Sequence, residues 1–300
     1  DPAPGVAVGG SGHHHHHQHR LFSAGNRRLA SGNKTRVVWL NGGPIKEPRE
    51  FKSMNDLIEV QSVSKSFGGV QANQDISLSV KEGIITGMIG PNGSGKTTLF
   101  NSIVGHHPID QGSIRFEGEE ISKLRVGEIA RLGLLRTFQQ TRIYNKMNCV
   151  DNMEISVSQR ERNFSSMFSG RKGEILDRAE EILDFVGLYS KRHLISGDLS
   201  FGQQKLLEFA MALMNKPKVL LLDEPTAGIN PTLINGLIDR LKRANDEMGV
   251  TLFVIEHNMR VVMNLASHVF CLAHGKMLAG GPPSEIQKDQ RVIDAYLGAH

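Results

Sequence analysis

Cysteine is almost missing from this 300-residue chain: Cys149 and Cys271 stand apart, and neither has a C-x-x-C partner. That excludes a disulfide-stapled fold and argues against a thiolate metal site; isolated thiols suit a reducing cytoplasm. Tryptophan occurs once, as Trp39. No stretch reaches the ~18 consecutive apolar residues of a membrane-spanning helix, and no signal-peptide pattern begins at Met54. The body reads as soluble and cytoplasmic, free to dock on a membrane protein. Basic charge is also scarce where it would count. The formal charge is +4 and the pI 9.1, yet residues 1–53 hold eight Lys or Arg against three Asp or Glu. The remainder has 27 basic and 28 acidic residues, a net of −1. A near-neutral body lacks the electrostatic footprint of a nucleic-acid binder.

The first 53 residues are foreign in composition to the rest of the chain. His13 to His17 form a run, with His19 close behind, among Gly, Ser, Asn and Arg. This reads as an expression tag with a vector-derived linker, disordered because it cannot build a core; a metal-binding histidine tract is the alternative. Met54 is the expected start of a folded domain, 54–300. With 39% hydrophobic residues in the whole chain, a full core is within reach.

What is present organises around one stretch. Gly90-Pro91-Asn92-Gly93-Ser94-Gly95-Lys96-Thr97, with Thr98 next, fits G-x-x-x-x-G-K-[ST]. Ile84–Ile89 upstream reads as a buried strand, and Lys96–Val104 downstream as a helix ending at Gly105. Strand, glycine-rich loop and helix N-terminus together make an anion cradle, because glycines let successive N–H groups turn inward toward phosphate. Lys96 is placed to reach the β- and γ-phosphates, and the Thr97 hydroxyl to hold Mg²⁺. The spacing predicts a nucleoside triphosphate site.

Around it the hydrophobic pattern changes period. Leu57–Val63 and Asp75–Val80 alternate apolar and polar, as half-buried antiparallel strands do, and Gly112–Phe116 reads as another. Gly173–Val186 places Leu176, Ala179, Ile182, Leu183 and Val186 on one helical stripe, after a polar stretch, Arg160–Lys172, that reads as a loop. Residues from about 143 to 200 are thus expected to form a helical subdomain inserted in an α/β core. Ser200 is an N-cap for a helix with Leu206, Phe209, Ala210 and Leu213 inward. Val219–Leu222 and Thr251–Ile255 are continuously apolar, as strands buried on both faces are. The first runs into Asp223 and Glu224, the second into Glu256 and His257. Between them Asn230-Pro231 opens a helix with Ile234, Leu237, Ile238 and Leu241 inward. Val269–Leu272 and Met277–Ala279 read as a closing hairpin. A strand-end aspartate beside a phosphate loop is placed to hold Mg²⁺, and the adjacent Glu224 to polarise water.

The phosphate loop, Leu199-Ser200-Phe201-Gly202-Gln203, Asp223-Glu224-Pro225-Thr226 and Ile255-Glu256-His257, in that order, resemble an ABC-transporter ATPase subunit from about Asn55 onward. The resemblance implies an α/β P-loop ATPase cassette with an antiparallel β-layer and an inserted helical subdomain, using ATP and Mg²⁺. It implies that Ser200, Gly202 and Gln203 grip ATP held by a second ATPase subunit, identical or paralogous. Phe67 matches the aromatic that stacks on adenine, Gln139 the glutamine that contacts Mg²⁺ and the attacking water, and His257 the switch histidine. The implied partners are membrane permease subunits, which would hold the protein on the inner face of the membrane, and indirectly a substrate-binding protein. Phe201 stands where glycine is commonest and Asn230 where aspartate is usual; Asn230 could equally be a plain N-cap. Both departures are similar to the branched-chain amino-acid importers and their urea and amide relatives, as are Gln203-Gln204 and Val292–Gly298. Lipid or lipopolysaccharide export is an alternative. A soluble ABC ATPase acting on nucleic acid or ribosomes is the rival from another class; tandem cassettes, coiled coils or zinc-binding cysteines would mark it.

Overall fold

A computed structural model describes residues 55–137, 143–157 and 169–297, all within the compact unit Phe51–His300. Strands β1 (Asp56–Phe67) and β2 (Val70–Lys81) pair antiparallel as far as Phe67 opposite Val70. Gly68 and Gly69, at φ +53° and +87°, supply the two left-handed residues of a tight hairpin turn. Ile58, Val60 and Val63 are buried along β1. Their alternation skips a residue near Ser62 (φ +48°), where the register against β2 shifts as a bulge. Next come β3 (Ile85–Ile89), α1 (Lys96–Ile103), β4 (Gln111–Phe116) and β5 (Glu119–Glu120). The first sheet is antiparallel, in the order β2-β1-β4-β5.

The rest of the chain, together with β3, builds the other sheet. In chain order its elements are α2 (Val126–Leu132), β6 (Leu134–Arg136), α3 (Cys149–Ser156), α4 (Ser169–Phe185), α5 (Phe201–Leu213) and β7 (Val219–Asp223). After them come α6 (Pro231–Met248), β8 (Thr251–Ile255), α7 (Met259–Leu265), β9 (His268–Ala273), β10 (Lys276–Gly281), α8 (Pro283–Ile286) and α9 (Gln290–Leu297). The order is β10-β9-β3-β8-β7-β6; every neighbour pair is parallel except β10 with β9.

Burial on both faces explains the continuous apolar runs. In β7, Val219 and Leu221 face a core shared with the antiparallel sheet and α1, while Leu220 and Leu222 face one shared with α3, α4, α5 and α6. Phe253 and Ile255 divide from Leu252 and Val254 in the same way on β8, the two-residue period of a strand. Phe253 meets Phe100 of α1 at a ring-centroid distance of 4.7 Å. A third, smaller core joins Ile89, Val269 and Cys271 to Val262, Ile286 and Val292.

Two expectations need correction. The stretch expected as loop up to Lys172 is helical from Ser169, four residues before Gly173. Once a turn has nucleated, each added residue gains a backbone bond, so a helix extends past its apolar stripe. Strand β6 has no counterpart in the pattern reading; three residues are too few to show a period, and pairing with β7 creates it. On α5, Leu206 packs half-buried against the core, as expected, while Leu207 and Leu213 are fully buried. Gln139 and the stretch 160–168 lie outside the described residues, as do residues 1–54. Among the described residues no helix is long and apolar enough to cross a membrane.

Replacing Phe253 with Ala removes a fully buried ring that no neighbour can replace, and is expected to cost about 3–5 kcal/mol. Urea unfolding measures this; a loss under ~1 kcal/mol would be that of a surface position.

Candidate active site

Parallel strands end their carboxyl termini on one edge of the sheet, the edge where α/β proteins bind ligands. Here β3 ends in the glycine-rich loop 90–95, β7 in Asp223 and Glu224, β8 in Glu256 and His257, and β6 in Arg136 and Thr137. The topology thus gathers four sequence-distant stretches.

In the loop, Gly93 and Gly95 have φ of +76° and +100°. A side chain at Gly95 would strike the Ala72 carbonyl oxygen at 2.3 Å. Asn73 Nδ2 donates to the Gly95 carbonyl at 3.1 Å, so β2 buttresses the loop from behind. Lys96 is buried; its Nζ donates to Gly90 O at 2.8 Å and Pro91 O at 3.0 Å. Burial lowers its pKa below the usual lysine value, against the opposing pull of Glu224 and Asp223. An ammonium so desolvated gains much from a polyanion. Asn92, Gly93 and Thr97 are exposed, Pro91 and Thr98 half-buried, and Ser94 buried.

Asp223 is 1% exposed, and its Oδ2 accepts from Arg136 Nη2 at 2.5 Å. Its Oδ1 has no hydrogen-bond partner among the described residues. Burial raises the Asp223 pKa, and Arg136 holds it back. Arg136 also donates to Asn101 Oδ1 on α1, and its guanidinium lies 5.9 Å from the Phe100 ring centre. Glu224 adopts φ +51°, uncommon for a residue with a side chain. Its Oε1 accepts from His257 Nε2 at 2.6 Å. Next to that pair, buried Glu256 accepts from both the backbone N–H and the hydroxyl of Thr226, at 2.9 and 2.6 Å. That bond ties the loop after β7 to the end of β8.

Phe67 is 44% exposed, so the hairpin tip presents it to solvent instead of a core. His107 meets its ring edge-on at 5.2 Å, and Lys65 Nζ lies 5.2 Å from its centre. Asp110 anchors that end of β1, accepting from Lys65 Nζ and from the Ser66 N–H.

Ser200, Gly202 and Gln203 form a separate group at the N-terminus of α5. Ser200 and Gln203 cap each other reciprocally: Gln203 N donates to Ser200 Oγ, and Ser200 N to Gln203 Oε1. Phe201 is exposed and covers Gly228 (φ +74°), where an added Cβ would lie 2.9 Å from its ring. Asn230 caps α6, its Oδ1 accepting from Thr232 N and Oγ1. The strand-end set comprises Lys96, Asp223, Glu224 and His257, while Ser200 to Gln203 bond locally on their own helix. Arg136 and Glu256 escaped the motif reading of single residues. Their partners lie 87 and 30 positions away, distances that no local spacing reveals.

Residues 73–227 match the family model described as ABC transporter. The chain is an ABC transporter ATPase. A second model, described as branched-chain amino acid ATP-binding cassette transporter, matches 276–300. The cassette is 38% identical over 248 residues to the Archaeoglobus fulgidus protein named "Probable branched-chain amino acid transport ATP-binding protein LivG", covering 81% of this chain and 96% of that one. It is 37% identical to the high-affinity branched-chain amino acid transport ATP-binding protein BraF of Pseudomonas aeruginosa, covering 81% and 98%. A solved ATP-binding cassette of an ABC transporter in its ADP conformation superimposes with a TM-score of 0.73 at 31% identity, covering 81% of this chain and 99% of that one.

The buried ion pair makes stability depend on pH in a predictable way. Arg136→Met takes from the buried Asp223 carboxylate its hydrogen-bonded guanidinium and leaves only the more distant pull of Lys96, which is expected to cost about 3 kcal/mol near neutral pH. The folded-state pKa of Asp223, already raised, rises further, so the folded state binds the proton better than the unfolded chain. Stability is then lost as pH climbs from the unfolded pKa through the raised folded one, so the penalty should shrink as pH falls from neutral toward the unfolded carboxylate value of about 4. Denaturant titrations at both pH values check it; an equal penalty at each would clear Asp223 of the effect.

Proposed function

We propose that this ATPase energises import of branched-chain amino acids through membrane permease subunits. The names of its relatives and the match of its C-terminal residues support the substrate class. In this reading residues 54–300 are the working cassette and residues 1–53 a tag and linker. The segment of about 143–200 is an inserted helical subdomain whose groove, near Gln139, receives the permease. The protein sits on the inner face of the membrane through that contact, and a substrate-binding protein delivers cargo to the permease.

The observation that carries the mechanism is the His257–Glu224 hydrogen bond at the sheet edge that also holds Lys96. Residues 90–98 cradle the phosphates, Lys96 supplies the point charge, and Phe67 offers an exposed face to adenine. Glu224 polarises the attacking water and takes its proton. His257 orients the Glu224 carboxylate and reaches for the γ-phosphate. The buried Asp223 Oδ1, which has no partner among the described residues, fits a hydrated cation; Asp223, with Thr97 and Gln139, would hold Mg²⁺. Bound there, Mg²⁺ would neutralise phosphate charge. The capped N-terminus of α5, with Ser200, Gly202 and Gln203, is an anion site without a phosphate loop of its own, as expected if it closes on ATP held by a second subunit.

Two substitutions test this. Phe67→Ala should raise the Kd for ATP about tenfold, the worth of one base stack; calorimetry reads it, and an unchanged Kd would place adenine elsewhere. Glu224→Gln keeps an acceptor for His257 but cannot take a proton, so turnover should fall by roughly 10²–10⁴ while ATP still binds. Uncleaved ATP should then hold a dimer on size exclusion that ADP does not, and adding Ser200→Arg should dissolve it. Normal hydrolysis by Glu224→Gln would end the catalytic assignment.

A further inference from the structure

The C-terminal helix reaches back to the phosphate loop. On α9, Val292 and Tyr296 are four residues apart and share a face; both pack on the small core containing Ile89, Val269, Cys271 and Ile286. Ile293 and Leu297 stay exposed. The Tyr296 hydroxyl accepts a hydrogen bond from the Gly90 N–H at 2.8 Å, although 206 positions separate them. Gly90 is the first glycine of the loop, at φ +146°. A side chain there would strike the Leu272 carbonyl oxygen at 2.1 Å, so only glycine lets the loop leave β3 along this path. Its carbonyl oxygen, in turn, accepts from Lys96 Nζ at 2.8 Å. One residue is therefore held from both sides, its N–H by the tail and its C=O by the loop cation. Burial pushes the Tyr296 pKa up to about 12; the hydroxyl is neutral at physiological pH, as an ordinary tyrosine also is.

We propose that Tyr296 is a positioning residue for ATP: the C-terminal helix holds the start of the phosphate loop in binding geometry through the Gly90 N–H, without touching nucleotide. Glycine has no side chain to brace it, so its geometry depends on these bonds and on the packing against β9. A loop start that drifts takes with it the carbonyl that positions the Lys96 ammonium. The residue lies within 276–300, the stretch matching the branched-chain family model, which gives that tail a task at the nucleotide. This rests on reading residues 90–97 as the phosphate cradle.

Tyr296→Phe keeps the ring in its core and deletes only the acceptor. Calorimetry and steady-state kinetics on the full chain should show Kd and KM for ATP rising about fivefold, the equivalent of one neutral hydrogen bond. The kcat should fall by less than about twofold, since the contact is the same in ground and transition states. The melting temperature should stay within ~3 °C of the parent. Tyr296→Ala, which also empties the core, should lower the melting temperature in addition. Lys96→Ala, measured in parallel, reports on the cradle itself. If Lys96→Ala loses ATP while Tyr296→Phe binds it as the parent does, the tail has no positioning role and the cradle stands. A fall in melting temperature and kcat at unchanged affinity would likewise overturn it, leaving Tyr296 a packing residue. Normal ATP binding by Lys96→Ala would remove the cradle and this inference with it.

Discussion

A desolvated cation at the edge of a parallel sheet sets the terms for the rest of the molecule. Lys96 is buried, and its ammonium is tolerable only because the loop wraps carbonyl oxygens around it while Asp223 and Glu224 stand within electrostatic reach. That wrapping needs Gly90 and Gly95, whose backbones crowd β9 and β2 too closely for any side chain. It needs β3 in the middle of the sheet, so that β9 on one side brings the Leu272 carbonyl against Gly90, while β8 on the other continues its pairing through the Glu256 N–H to Met88 O. The two-faced burial of β3, β7 and β8 comes from the same placement.

The strand-end carboxylates show how one edge separates similar groups. Asp223 is sealed in and paired with a guanidinium, which leaves one oxygen without a partner among the described residues. Its neighbour Glu224 turns the other way through a left-handed backbone, a conformation costing about 1–2 kcal/mol for a residue with a Cβ. The turn aims its carboxylate at His257. Strain of this kind persists where the surroundings over-determine it. Here the Glu224 N–H is held by Ile255 O, and Thr226 two residues on is held by Glu256.

Much of the fold and site was legible from residue order. The glycine pattern before Lys96 announced a loop, because the required backbone angles are open chiefly to glycine. Unbroken apolar runs at Val219–Leu222 and Thr251–Ile255 announced central strands, because each face meets a different core. Phe67 was singled out only by the family resemblance, and the structure leaves its ring exposed at a hairpin tip. Asn230 carried two readings in the sequence; the hydrogen bonds to Thr232 make it the cap of α6. Strand β6 and the first turn of α4 were not legible, since neither has enough apolar residues to express a period.

The sequence by itself determined the family, through four motifs in a fixed order, and the glycine-rich loop and the capped helix at Ser200, because the loop and the cap depend on backbone angles and bonds among residues a few positions apart. Only the tertiary structure decided that Arg136 meets Asp223, that Glu256 clamps Thr226 and that Tyr296 holds Gly90. Those contacts arise where strands from different parts of the chain end on one edge and a terminal helix folds back over it. Side chains meet there by sheet order and packing, and linear spacing carries no record of either.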